Sequence, residues 1–153
     1  MSSLARIAAA IVLWSATPSE AADKITLEAL TMRLAYEGTG TLSDNIAPPA
    51  QFSGFNTVIG EGSAAEPAND ILVTAVLAAP GETNGEEKLV IVARRASDRK
   101  VLAGRIIEHP FVGKTGKSYR SILIQDATCD GVEVTATYGK QRKIAAVPFK
   151  CGE

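Results

Sequence analysis

A two-residue alternation of apolar and polar side chains recurs along this chain and restricts its fold more than any other feature. In residues 30–36 and 132–138, apolar side chains occupy every second position, with polar or small ones between them. This period places successive side chains on opposite faces of an extended strand, so that one face is buried. The pattern therefore predicts β-strands.

Further strands are predicted where the alternation recurs or where β-branched residues form a continuous run. They are residues 71–77, 88–93, 101–107, 121–125 and 145–149, with 55–59 as a candidate edge strand. No segment beyond the N-terminal apolar run keeps the apolar spacing of a helix. About seven strands joined by turn residues predict an all-β protein, an antiparallel β-sandwich. A small β-barrel is the alternative.

The predicted sandwich resembles immunoglobulin domains in general architecture. Antibody-type domains have a core Trp between two cysteines that join the sheets. Here the chain's only Trp, Trp14, lies outside the predicted domain, and both cysteines flank one hairpin. The resemblance therefore concerns architecture and implies no activity.

Residues 1–21 are predicted to be a cleaved secretory signal peptide. One basic residue precedes an apolar run at 7–14, and small residues at Ser19 and Ala21 fit a cleavage site. Eight apolar residues span about 12 Å as a helix, against roughly 30 Å of hydrocarbon, so this run is too short for a membrane span. We expect a single domain at 22–153, without a transmembrane span, in the periplasm; full secretion is the alternative.

The two cysteines, Cys129 and Cys151, are predicted to form a structural disulfide, because paired cysteines are typical of exported proteins. If Tyr138 pairs with Lys143 across a four-residue turn, Asp130 faces Cys151, and a bulge brings Cys129 into register. The bond would close the open end of the terminal hairpin and contribute roughly 3 kcal/mol in the chain-entropy model.

Charge is segregated along the chain. Residues 22–87 contain two basic and ten acidic side chains, whereas residues 88–153 contain thirteen basic and six acidic ones. Four arginines of one predicted hairpin are candidate binding residues for an anionic partner: Arg94, Arg95, Arg99 and Arg105. The favoured alternative is that strands of both halves alternate in the sandwich and neutralise each other. Nucleic acid is not expected, because the net charge is −1 and no aromatic residues interrupt the basic cluster.

A long segment at 38–70, rich in Gly and Pro, carries two further candidate binding residues, Phe52 and Phe55. Long segments without regular structure are often functional, and exposed aromatic residues anchor many interfaces. The alternative is that both rings cap the core, which we favour.

An enzymatic site has less support in the sequence. The only histidine, His109, follows Glu108, but no nucleophile motif accompanies it. Asp126, Asp130 and Glu133 are oxygen donors without the spacing of a calcium loop. We therefore predict no metal and no cofactor. A hydrolase or metal-dependent enzyme that uses His109 and nearby carboxylates is the alternative.

These observations predict an exported, soluble, non-enzymatic binding module or accessory subunit of the cell envelope. Its expected partner is another envelope protein or an anionic surface component. The candidate binding surfaces are the arginine-bearing hairpin and the phenylalanine-bearing segment.

Overall fold

The computed structural model describes residues 25–55, 61–127 and 130–150. The predicted signal peptide and both cysteines lie outside these ranges. Within them the chain forms strands and no helix, so these ranges contain no helix with the length and apolar character of a membrane span. The strands are β1 (Thr26–Ala35), β2 (Gly54–Phe55), β3 (Glu61–Gly62), β4 (Asp70–Ala78), β5 (Thr83–Asn84), β6 (Leu89–Arg95), β7 (Val101–Ile107), β8 (Phe111–Val112), β9 (Lys117–Ile124), β10 (Val132–Tyr138), β11 (Gln141–Val147) and β12 (Phe149–Lys150).

Two antiparallel sheets form the body of the fold. One sheet has the order β1-β4-β9 and the other has the order β11-β10-β6-β7. β1 lies next to β11 at one side of the molecule, and β7 lies next to β9 at the other. The predicted all-β antiparallel sandwich is therefore confirmed. Two small sheets, β12-β2-β3 and β5-β8, complete the structure.

The core forms between the sheets because the strands keep the two-residue alternation. In β10 the apolar positions are buried and those between them are half-buried, and β6 follows the same pattern. The largest fully buried side chains come from both sheets: Met32, Leu34, Ile71, Leu77, Leu89, Ile91 and Ile124. Burial of this apolar surface is the main stabilising contribution to the sandwich.

Side chains join the two sheets at both sides of the sandwich. The Leu27 N–H donates to Oε1 of Gln141 over 2.8 Å, and Nε2 of Gln141 donates to the Ile25 carbonyl over 3.0 Å. At the opposite side, Nη1 of Arg105 donates to the Ser121 carbonyl over 3.1 Å. These bonds satisfy backbone groups that face away from the neighbouring strand.

The predicted pairing of the terminal hairpin is wrong by two residues. Tyr138 pairs with Gln141, across a two-residue turn in which Gly139 has a φ of 53°. Glycine at the first turn position permits this tight connection. β11 ends at Val147, and β12 leaves to pair with β2. The disulfide itself stays a prediction, because Cys129 and Cys151 lie outside the described residues, but the hairpin register from which it was inferred is wrong.

Candidate binding site on the four-stranded sheet

The four-stranded sheet collects the basic half of the chain. All four of its strands lie between residues 88 and 147. The strands and their hairpin turns, residues 88–107 and 132–147, contain nine Lys and Arg residues but only two carboxylates. Strands of the two halves pair in the other three sheets, where β4 pairs with β9, β2 with β12 and β5 with β8. The interpretation that the halves alternate is therefore wrong for the four-stranded sheet.

A shallow cleft lies on the outer face of this sheet. Its floor consists of Val90 and Val92 from β6 and of Thr135 and Thr137 from β10. Val92 pairs with Thr135, and Val90 pairs with Thr137. Their chain neighbours, such as Ile91, point into the core, so the alternation leaves these four short side chains on the outer face.

Three arginines line this floor. Arg94 follows Val92 along β6, and Arg142 is the cross-strand neighbour of Thr137 on β11. Arg99 extends from the turn that joins β6 to β7, where its φ is 63°. The space enclosed by the three arginines and the four floor residues, here called the arginine cleft, has a volume of 260 Å³.

One carboxylate adjoins the arginine cleft. Nη2 of Arg99 lies 2.8 Å from Oε1 of Glu133, the cross-strand neighbour of Arg94. The hydrogen bond from Arg99 holds the pKa of Glu133 below its usual value, and the charges of Arg142 and Arg94 act in the same direction. The pKa of Arg99 is raised by the same hydrogen bond. Among the described residues, Arg94 and Arg142 form no ion pair, so positive charge exceeds negative charge here.

Replacing Arg99 with Asn is expected to raise the pKa of Glu133 towards its usual value. The variant removes the bonded guanidinium, and Asn tolerates the positive φ of this position. NMR titration of the side-chain carboxyl carbons measures this change. The raised pKa of Lys117, which bonds to Glu28 on the other sheet over 2.9 Å, should stay unchanged in this variant and is the control. An unchanged pKa for Glu133 would show that the ion pair does not persist in solution.

Two exposed isoleucines extend the same face on either side. Ile106 on β7 pairs with Val90 and is 59% exposed, and Ile144 on β11 pairs with Thr135 and is 54% exposed. Exposed apolar residues beside well-placed arginines are typical of protein interfaces. The outer face therefore presents three arginines around a floor of short side chains, with an exposed isoleucine on each of its two outermost strands.

The four arginines predicted from the sequence have different environments. Arg94 and Arg99 line the arginine cleft. Arg95 instead faces Asp98 and Asp130, at 3.2 Å and 3.6 Å. Arg105 bonds to the backbone of β9.

The sequence interpretation did not include Arg142. Its cross-strand position opposite Thr137 is the signal that would have revealed it. The predicted hairpin register placed Lys143 opposite Tyr138 and so concealed this position. Because the turn has only two residues, Arg142 lies beside Thr137 on the outer face of the sheet.

Phe52 and Phe55 lie apart from the arginine cleft. The Phe52 ring is half-buried against the core and meets the Phe149 ring edge-on, with centroids 6.1 Å apart and an interplanar angle of 86°. This contact agrees with the core-capping alternative for Phe52. Phe55 belongs to β2, where its backbone pairs with Lys150.

His109 lies exposed in the turn between β7 and β8. Within the described ranges, no group of three His, Cys, Asp or Glu residues is arranged to hold a metal ion. Asp130 faces Arg95, Glu133 bonds to Arg99, and the Asp126 N–H donates to Asp70. The carboxylates of Asp130 and Glu133 thus face arginines, and none of these contacts involves His109.

Comparison with known proteins leaves the site to be interpreted from its geometry. The sequence matches no model of a known protein family, and it matches no curated protein sequence. The arginine cleft and its two flanking isoleucines are therefore the basis for the functional proposal.

Proposed function

We propose that this protein is an exported, non-enzymatic binding module or accessory subunit of the cell envelope, in the periplasm. It binds another envelope protein through the outer face of its four-stranded sheet. The observation that carries the proposal is the convergence of Arg94, Arg99 and Arg142 on a floor of short side chains. This group includes two of the residues that the sequence analysis selected for contact with an anionic partner.

The size of the arginine cleft favours a macromolecular partner. Pockets that enclose a whole small ligand have volumes of about 300–1,000 Å³. The arginine cleft has a volume of only 260 Å³ and lies on an open sheet face. Such a site is suited to one protruding group of a larger partner, whose remaining surface covers Ile106 and Ile144.

The strand order supports the immunoglobulin-like architecture that we propose for this domain. The orders β1-β4-β9 and β11-β10-β6-β7 correspond to strands A-B-E and G-F-C-C′ of immunoglobulin-type sandwiches. Many domains of this architecture bind other proteins, but the fold alone assigns no function. The outer face of the four-stranded sheet therefore remains the specific support for the proposal.

Replacing Arg94 and Arg142 together with Ala is expected to weaken capture of the partner at least about tenfold, because a hydrogen bond to a charged group contributes about 1.5–3 kcal/mol. The tagged mature chain would be incubated with periplasmic extract over a salt series, and captured proteins would be identified by mass spectrometry. The identified partner would then be titrated against each variant.

Arg33→Ala is the matched control, because Arg33 is an exposed arginine on β1 of the other sheet. Each of these substitutions removes one positive charge, so the control matches either test substitution in its effect on net charge. The control should leave capture of the partner unchanged. Equal partner affinity for the wild type and the Arg94→Ala/Arg142→Ala variant would contradict the proposed surface. Equal losses from the control and test sites would indicate attraction without a defined site.

A further inference from the structure

Resting on the proposed function, we infer that the arginine cleft receives an Asp or Glu side chain from an extended acidic segment of the partner protein. The partner residues two positions before and after that acid are apolar and contact Ile106 and Ile144. The arginine cleft thus recognises the pattern apolar-x-acid-x-apolar.

The contact between Arg99 and Glu133 shows how this environment holds a carboxylate. Arg99 bonds to that carboxylate over 2.8 Å and leaves the other two guanidinium groups of the arginine cleft without an ion pair among the described residues. Arg94 is held in place by its own donation to the Arg99 carbonyl, over 3.2 Å. A second carboxylate can therefore bind beside an arginine that is already oriented.

The two unpaired arginines approach the floor from opposite sides. Arg94 lies on β6 and Arg142 on β11, with β10 between them. Two strand spacings and a four-residue offset along the strands place their backbones about 17 Å apart diagonally, so both side chains must extend over the floor to reach one ligand. Thr135 and Thr137 lie on the floor between them, and each carries a hydroxyl group that can donate a hydrogen bond. Guanidinium and hydroxyl donors are thus available to the incoming oxygens.

The backbone around the floor favours a carboxylate over a phosphate. Phosphate sites commonly use converging backbone N–H groups at helix N-termini or in nests. Here β10 is paired on both sides, with β6 and β11, so its N–H groups belong to the sheet ladders. A dianionic phosphate would also be repelled more strongly than a carboxylate by Glu133.

The flanking isoleucines determine the length of the recognised segment. Ile106 and Ile144 lie on the two outermost strands, three strand spacings apart. They are also offset from each other by two residues along the strand direction. These positions imply a backbone separation of about 15 Å. Positions i and i+4 of an extended peptide are about 13 Å apart and share one face with position i+2. A central acid with apolar residues at both ends therefore matches the face.

The test uses three synthetic peptides whose termini are chemically blocked. They are Val-Thr-Glu-Thr-Val and the two peptides in which Gln or phosphoserine replaces the Glu. Each is titrated into the ¹⁵N-labelled mature chain, and amide shifts are followed by NMR. The Glu peptide is expected to shift the amides of Thr135 and Thr137 and to bind at least about tenfold more tightly than the Gln peptide. The Glu133→Gln variant should bind the Glu peptide more tightly than wild type, because it removes a competing negative charge and releases Arg99.

Glutamine substitutions test whether the arginines of the cleft provide the preference for Glu. Arg94→Gln combined with Arg142→Gln should remove the preference for Glu over Gln, whereas Arg33→Gln on the other sheet should retain it. A well-dispersed NMR spectrum establishes that each variant is folded before its affinity is interpreted. A variant that fails this criterion is replaced by the single substitutions.

Several results would overturn the inference: equal affinity for the Glu and Gln peptides, no binding at millimolar concentration, or shifts confined to another face. Tighter binding of the phosphoserine peptide would assign the arginine cleft to a phosphate instead. If capture of the natural partner still depends on Arg94 and Arg142, such results refute the carboxylate inference and leave the proposed function intact. If capture does not depend on them, the proposed function fails independently of the peptide results.

Discussion

Replacing Ile91 with Ala is expected to lower the free energy of unfolding by about 2–5 kcal/mol, the range for large-to-small substitutions in a packed core. Ile91 lies in the middle of β6 and is 0% exposed. Its chain neighbours Val90 and Val92 form part of the floor of the arginine cleft. The cavity left by the missing atoms would therefore lie directly behind the candidate binding site.

Urea unfolding followed by circular dichroism measures this loss, provided that the slope with denaturant stays constant. Ile106→Ala is the control on the neighbouring strand, because its side chain is largely exposed. We expect the control to change stability by less than about 0.5 kcal/mol. A loss for Ile106→Ala as large as that for Ile91→Ala would show that the outer face is buried in solution.

Replacing Gly85 with Ala is expected to lower the free energy of unfolding by about 1–3 kcal/mol, as overpacking of a filled site does. A β-carbon at this position would lie 2.7 Å from the Tyr138 hydroxyl, 2.9 Å from Cγ of Pro110 and 3.0 Å from the Pro110 carbonyl oxygen. Tyr138 is buried, and the Gly85 N–H donates to the Pro110 carbonyl over 2.7 Å. None of these atoms can therefore move aside without disturbing other contacts.

Thermal unfolding of two comparison variants tests this explanation. A β-carbon at Gly104 would meet its nearest neighbour, the Ile91 carbonyl oxygen, at 3.5 Å, so Gly104→Ala should not destabilise the fold. Adding Tyr138→Phe to Gly85→Ala should recover part of the loss, because it removes the closest contact. If Gly85→Ala is as stable as the wild type, the junction between β5 and β8 is looser than the structure indicates.

The period-two alternation was sufficient to predict the principal strands. Residues 132–138 form a strand with the predicted bounds, and their apolar positions are buried. This success has a local cause, because whether a segment can bury one face as a strand depends on its own side chains. The antiparallel sandwich follows from the number of such segments and the turn residues between them.

The sequence did not decide the register of the hairpin between β10 and β11. The segment from Gly139 to Arg142 permits both a four-residue and a two-residue connection, and the structure has the shorter one. Turn conformation selects the register. That choice determines which residues of β11 share a face with β10. The position of Arg142 in the arginine cleft is a consequence of this register.

Charge along the chain selected candidate arginines without locating the surface on which they lie. Arg94 and Arg95 are adjacent in sequence but differ in environment: Arg94 lines the arginine cleft, whereas Arg95 faces Asp98 and Asp130. Arg99 reaches the arginine cleft from a turn with a positive φ. Counting charges cannot separate these cases, since each depends on the backbone direction at one residue.

The amino-acid sequence by itself determined the strand content, the buried face of residues 30–36 and 132–138 and the concentration of basic residues after residue 88. The tertiary structure decided that β6, β7, β10 and β11 form one sheet, so that the basic segments meet on a common surface. It also placed Phe52 against the core and Arg142 beside the threonines of β10. Side-chain periodicity is a local property, whereas strand partners are selected by packing between segments that are distant in the chain.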